Sequence, residues 1–301
     1  MKTLKLIIGI LIVTFIVDKC VFYTLNYFSD HVFSGQGVGK VNHYLKIKDT
    51  TDILFYGSSR VNHSIDPSMI KKSSFNMGVD GKTISNAKVL IKQLPINKKQ
   101  TIVLHIDPNR AIDSMYAGAD INFLATKYHR NSIVKKEIDE LNLNNTLQSF
   151  YWSLDYNGVV LPVLKNYFFP KYNYKTYNGY DPLKLNREQK NNLNKILNTT
   201  STDDCTSLNI NPIFKNGILD VKKFAKENNK KLIIFTSPAY SDPCKKDNIL
   251  LENFLKENSV IYYDYTDFFK TDNSFDYWKD KIHLSNKGAK IFTSEIKNII
   301  R

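Results

Sequence analysis

The stretch Asp52-Ile53-Leu54-Phe55-Tyr56-Gly57-Ser58-Ser59-Arg60 decides the fold. A short apolar run that stops abruptly in small and polar residues is how a parallel strand buried on both faces reads. The turn that follows such a strand is where open α/β sheets place their binding and reactive groups. Ser59 is therefore the candidate nucleophile, with Ser58 as the alternative. Far down the chain, Asp280-Lys281-Ile282-His283-Leu284 supplies an aspartate and a histidine three residues apart.

Working outward from that strand, strands and helices alternate. Ser74–Met77, Thr101–Ile106, Lys231–Thr236 and Val260–Asp264 read as four more strands. Ile84–Leu94, Ile218–Asn228 and Ile249–Glu257 carry apolar residues at helical spacing, and Ser285 is placed to cap a closing helix to Ile300. Such alternation predicts an α/β domain whose five-stranded, mostly parallel sheet has helices on both faces. From about residue 111 to 212 the rhythm breaks. This large insertion is rich in Tyr, Phe, Asn and Lys, as in Tyr167-Phe168-Phe169-Pro170-Lys171-Tyr172, with helices expected at Ile133–Leu141 and Arg187–Leu197. Its aromatics suit either sugar stacking or the packing of an irregular subdomain.

Ahead of the sheet, Lys2 and Lys5 precede Leu6–Val17, and after Asp18-Lys19 apolar character resumes through Phe28. The uninterrupted run is shorter than the roughly 20 residues that cross a bilayer, and the aromatic continuation restores the length. No small-x-small cleavage site follows, so residues 1–28 read as an uncleaved single-pass membrane anchor, 29–50 as a connector and 51–301 as the α/β domain lying outside the cytoplasm.

The net charge of +13 is carried almost wholly by lysine, since Arg60, Arg110, Arg130, Arg187 and Arg301 are the five arginines. With no basic helix, zinc-finger spacing or RNP-like pattern, nucleic acid is not an expected partner. An anionic membrane or wall polymer is. Cys20, Cys205 and Cys244 have no metal-ligand spacing, and Cys205 and Cys244 can pair in an oxidising compartment. No His/Cys/Asp/Glu cluster or glycine-rich phosphate loop is present, so neither metal nor cofactor is expected. His105 reads as a core histidine, His63 as lining the site or lying on the surface, and His31, His43 and His129 show no pairing.

Four blocks together resemble the SGNH (GDSL-like) hydrolases. Gly57-Ser58-Ser59 resembles the first block, with Ser58 in place of its aspartate and Ser59 at the nucleophile position. Asn76-Met77-Gly78 resembles the second, implying that the Gly78 N–H faces the oxyanion. Asp107-Pro108-Asn109-Arg110 stands where the third belongs, implying Asn109 as the side-chain donor, although Asp107 replaces a glycine and Arg110 an aspartate. Asp280-Lys281-Ile282-His283 is similar to the last block. The resemblance implies a flavodoxin-like three-layer sandwich.

The chemistry follows from the residue types. A serine hydroxyl is a poor nucleophile until a base takes its proton and a carboxylate holds that base in the right tautomer. His283 fits the base and Asp280 the orienter. Ser59 N–H, Gly78 N–H and Asn109 would form the oxyanion hole, each donor worth on the order of 3 kcal/mol. The expectation is an anchored serine esterase or O-acyltransferase that acts on O-acyl, chiefly O-acetyl, esters of an envelope polysaccharide or wall polymer. The resemblance adds a membrane-bound O-acyltransferase as a partner. The alternative is a non-catalytic SGNH-like module that binds glycan or a membrane complex.

Overall fold

The computed structural model describes residues 2–70, 72–199, 209–242, 244–272 and 274–300. Cys205 lies outside them, so the proposed pairing with Cys244 does too. The chain divides into two compact units, one of Met1–Leu45 with Ile121–Thr176 and the other of Lys46–Asp120 with Tyr177–Arg301. Residues 177–212, read from sequence as insertion, belong with the α/β unit. The long apolar helix belongs with residues 121–176.

In chain order the helices are α1 (Lys2–Asp30), α2 (Val38–Ile47), α3 (Ser59–Asn62), α4 (Ile84–Ile91), α5 (Pro108–Ala111), α6 (Ser132–Glu140), α7 (Thr146–Phe150) and α8 (Val160–Phe168). They continue as α9 (Arg187–Leu197), α10 (Pro212–Glu227), α11 (Lys245–Glu257) and α12 (Asn286–Ile299). The strands are β1 (Ile53–Tyr56), β2 (Ser74–Asn76), β3 (Gln100–His105), β4 (Lys230–Thr236) and β5 (Ile261–Asp264). The sequence reading did not anticipate α2, which occupies part of the expected connector, nor α7 and α8.

All five strands of the α/β unit are parallel, in the order β2-β1-β3-β4-β5. This is the flavodoxin-like order, whose switch point lies between β1 and β3. The central strands are buried on both faces, which is why their sequences run apolar without alternation. Ile53, Phe55, Val103, Ile233 and Phe235 share one core cluster with Ala289, Phe292, Ile296 and Ile300 around α12. The intervening Leu54, Ile102, Leu104 and Ile234 are equally buried, and α10 packs against β4 and α4.

In the other unit, α1 changes character along its length. Residues 2–17 are exposed all round, whereas Asp18, Phe22, Asn26 and Ser29 form a buried stripe. That spacing is one face of a helix. The stripe packs on the turn Trp152–Tyr156 and on α8. The Asp18 carboxylate accepts from Trp152 N–H (2.9 Å), Ser153 N–H (3.0 Å) and the Ser153 hydroxyl (2.5 Å), and the Tyr156 hydroxyl donates to Asn26 Oδ1 at 2.6 Å. His129, which showed no partner in the sequence, pairs here with buried Asp155 at 2.9 Å.

Candidate active site

β1 delivers Ser59 through a turn that only glycine permits. Gly57 has φ +149°, and a Cβ there would stand 2.7 Å from Val61 Cγ2 and 2.8 Å from His105 Cβ. The chain thus passes flush against the end of β3 and starts α3 at once. Ser58 becomes the N-cap of that single turn, its Oγ accepting from Arg60 N–H at 3.3 Å. Ser59 is left at the first helical position, where a backbone N–H has no intrahelical partner. Its N–H makes no hydrogen bond among the described residues.

The last block is fixed by packing on either side. Trp278 is fully buried and bridges antiparallel to Leu284, Lys279 N–H donates to the His283 carbonyl (2.8 Å), and Ser285 caps α12 by accepting from Gly288 N–H. Within that loop Asp280 Oδ1 accepts from Ile282 N–H (3.0 Å) and His283 N–H (2.9 Å). The carboxylate also faces His283 Nδ1, at 3.0 Å from Oδ1 and 2.9 Å from Oδ2. Burial raises the Asp280 carboxyl pKa, but the bonds from His283 and Ile282 outweigh it and hold the group below the usual carboxylate range.

Ser59 Oγ and His283 Nε2, 224 residues apart in sequence, lie at 2.7 Å. Because Nδ1 faces a carboxylate it carries the proton, so Nε2 presents its lone pair to the hydroxyl. The structure brings Ser59, His283 and Asp280 into one line of hydrogen bonds.

The other two expected donors are not aligned in the same way. The Gly78 N–H is already donated to the Asn76 side-chain oxygen at 2.9 Å. Asn109 is exposed and borders a cavity of about 280 Å³ that Ser59 does not line. Asp107, two residues before Asn109, is engaged elsewhere. Its carboxylate meets Arg60 at 3.3 Å, and Arg60 also donates to the Ser237 and Pro238 carbonyls at 2.7 and 2.8 Å. Arg60 is 5% exposed. The loop after β3 therefore anchors Arg60, the neighbour of Ser59. Of the three expected oxyanion donors, Ser59 N–H alone stands beside the hydroxyl with its hydrogen free.

A cavity of about 120 Å³ opens at Ser59, walled by Ser58, Arg60, Thr83, His105, Arg110 and Ile282 among others. His105 is buried without a hydrogen bond, and burial together with the Arg60 charge pushes its pKa down to about 3. It is a neutral wall residue at every physiological pH.

Sequence reasoning missed a second histidine–carboxylate pair in this unit. His63 Nδ1 lies 2.5 Å from the Asp181 carbonyl, and Nε2 lies 3.1 and 3.2 Å from the two oxygens of Asp80. Both nitrogens face oxygen acceptors, which favours the doubly protonated, charged form of the ring. Burial opposes that charge, but the Asp80 and Asp181 bonds prevail and raise its pKa. The His63 and His283 rings are 6.1 Å apart. The signal was present in the four-residue spacing of Ser59 and His63, about one turn of helix, but nothing in the residues that follow Gly78 announces that Asp80 pairs with this ring. Among the described residues no three His, Cys, Asp or Glu side chains converge as metal ligands.

No protein-family model matches the chain, and no curated protein matches it. Among solved structures it is similar to a Bacteroides fragilis protein provisionally assigned as an acylhydrolase, at 14% identity over 85% of this chain and 93% of that one, with a TM-score of 0.41. At this distance the site has to be read from its own geometry.

Proposed function

We propose that this is a membrane-anchored serine enzyme of the SGNH type that transfers or hydrolyses O-acyl groups, chiefly O-acetyl, on envelope carbohydrate. The observation that carries the reading is the Ser59–His283–Asp280 alignment at 2.7 and 2.9 Å. Ser59 Oγ attacks the ester carbonyl as His283 Nε2 takes its proton, and Asp280 stabilises the imidazolium that forms. The oxyanion develops against Ser59 N–H. Collapse returns the proton from His283 to the departing alcohol and leaves acyl-Ser59. Water then releases a carboxylic acid, or a sugar hydroxyl takes the acyl group, with His283 again as base.

Two features support an anchored enzyme at a polymer surface. The net charge is +13. The 29-residue helix α1 is long and apolar enough to cross a membrane, and its second half is built into a folded unit through Asp18, Phe22, Asn26 and Ser29. Removing α1 as a signal sequence would strip that unit of a wall. The carbohydrate substrate, the membrane-bound acyltransferase partner and the extracytoplasmic placement follow from the family resemblance.

A serine-directed fluorophosphonate tests the reading: labelling of the intact chain that disappears in Ser59→Ala supports it. Acyl-enzyme formed from an acetyl ester and then offered water or a glycan hydroxyl separates hydrolysis from transfer. The commitment of the Gly78 N–H to Asn76 favours one second reading, a glycan- or complex-binding module that has kept the triad without a full oxyanion hole. A folded protein that neither labels nor turns over any ester would establish that second reading.

A further inference from the structure

The anchor does not end where the apolar run ends. The stretch exposed on every side, Leu4–Val17, is about 21 Å long at 1.5 Å per residue, against a hydrocarbon core of about 30 Å. With Lys2 and Lys5 at one surface, Asp18 and Lys19 are therefore reached before the hydrocarbon ends. Charged groups at such depth are costly unless protein satisfies them, and here it does. Asp18 is 5% exposed and holds three donors from Trp152 and Ser153. The Lys19 ammonium reaches Asp18 (2.9 Å) and the Phe150 carbonyl (2.5 Å), and lies 4.2 Å from the centre of the Trp152 ring.

The segments that make this seal turn their other sides outward, and those sides are apolar. Leu147, Phe150, Leu154, Leu161, Phe168 and Phe169 are between 39% and 78% exposed, all within the short span 147–169. They continue the exposed face of α1 itself, where Val21, Tyr23 and Tyr27 are also open. α8 packs on α1, and Phe28 meets Tyr167 edge-on at 5.0 Å. A groove of about 950 Å³ runs along α8, lined by Leu161, Leu164, Phe168 and Phe169, with Lys165 and Lys171 also on its walls. Clustered exposed aromatics flanked by lysine are the pattern of a membrane–water interface.

We infer that residues 146–171 form a partial collar along one side of the emerging helix that sits in the adjoining leaflet of the bilayer, with phospholipid against Leu161, Phe168 and Phe169 and in the α8 groove. The collar supplies the thickness that Leu4–Val17 lacks. This rests on the reading of α1 as a membrane span, and it changes the anchor from one helix to a helix plus the folded segment packed on one face of it.

The test uses the full chain in a Cys20→Ser background, in nanodiscs of phosphatidylcholine and phosphatidylglycerol. Spin labels are placed at Leu161→Cys and Phe169→Cys, with Ile96→Cys, 72% exposed in the α/β unit, as the aqueous reference. Collision with oxygen and with a neutral nickel chelate is then measured. A severalfold rise in the oxygen-to-nickel ratio at 161 and 169 over 96 supports the collar. Labels at 161 and 169 as open to nickel as 96 overturn it, as do labels shielded from both reagents, which would mean a second copy of the protein covers the face. Flotation with vesicles is measured first: a chain that does not float overturns the span and the collar together, whereas one that floats with wet labels at 161 and 169 overturns the collar alone.

Discussion

Two histidine–aspartate pairs lie near each other in the α/β unit, and what separates them is the second nitrogen. In His283–Asp280 the carboxylate takes Nδ1 and leaves Nε2 facing the Ser59 hydroxyl at 2.7 Å. In His63–Asp80 the carboxylate takes Nε2 while Nδ1 is held by the Asp181 carbonyl. The first ring turns one nitrogen to a hydroxyl; the second has both nitrogens engaged by carboxylate and carbonyl oxygens. Exposure runs the same way, with the side chains of His283 at 20% and His63 at 7%. A carboxylate beside an imidazole is therefore no mark of a base by itself; a base also needs an unclaimed nitrogen within reach of a hydroxyl.

The comparison breaks if the two pairs respond alike to mutation. Ser59→Ala should lower acetyl-ester turnover by roughly 10⁴-fold or more and abolish fluorophosphonate labelling; appreciable residual labelling would mean that Ser58 or another serine is attacked. Asp280→Asn should cost about 10³-fold in kcat with KM little changed, because an amide presents the wrong partner to Nδ1. His63→Gln should cost less than about tenfold in kcat, with its main effect on stability, about 1 kcal/mol from the buried Asp181 carbonyl losing its partner, read by chemical denaturation. A loss at His63 as large as that at Asp280 would make both rings part of the reaction.

The smallest and sharpest test is pH. The Asp280 carboxyl is depressed in the folded protein below its ordinary 3.8, so its stabilisation is present above that value and is lost as the pH falls through the native pKa. His63 is raised above its ordinary 6.5, so its contribution is complete below that value and is lost as the pH rises through the native pKa. In thermal melts, the advantage of wild type over Asp280→Asn should therefore shrink only in acid. That over His63→Gln should shrink only on the alkaline side. Parallel curves for the two variants would contradict a depressed Asp280 carboxyl beside a raised His63 imidazole.

Much of the α/β unit was legible because burial on both faces leaves a strand no room for polar residues, so Ile53–Tyr56 and Gln100–His105 stand out as runs. The alignment of Ser59, His283 and Asp280 was legible because a turn after a strand and an Asp-x-x-His loop before a helix are local patterns. The donors were not. Gly78 was read by its place in a block, but which acceptor its N–H meets depends on the Asn76 rotamer, and Asn109 stands exposed two residues after Asp107, whose contact with Arg60 spans 47 residues. His63 with Asp80, and His129 with Asp155, are likewise pairings across loops that no periodicity encodes. α7 and α8 escaped notice because they are short, five and nine residues, and α8 carries Pro162 in its first turn, a residue that reads as a break in a helix.

The contact between Asp18 and residues 152 and 153 also sets an order of assembly. These partners are separated by 134 and 135 positions, so the ribosome must add the whole first half of the α/β unit between them. At roughly 5–20 residues per second this takes on the order of 10 s. Throughout that interval the newborn helix holds its aspartate and lysine with no protein to satisfy them. The Asp18 contacts therefore cannot form before residues 152 and 153 have been made, and a chain halted before residue 150 carries α1 with Asp18 still lacking these donors.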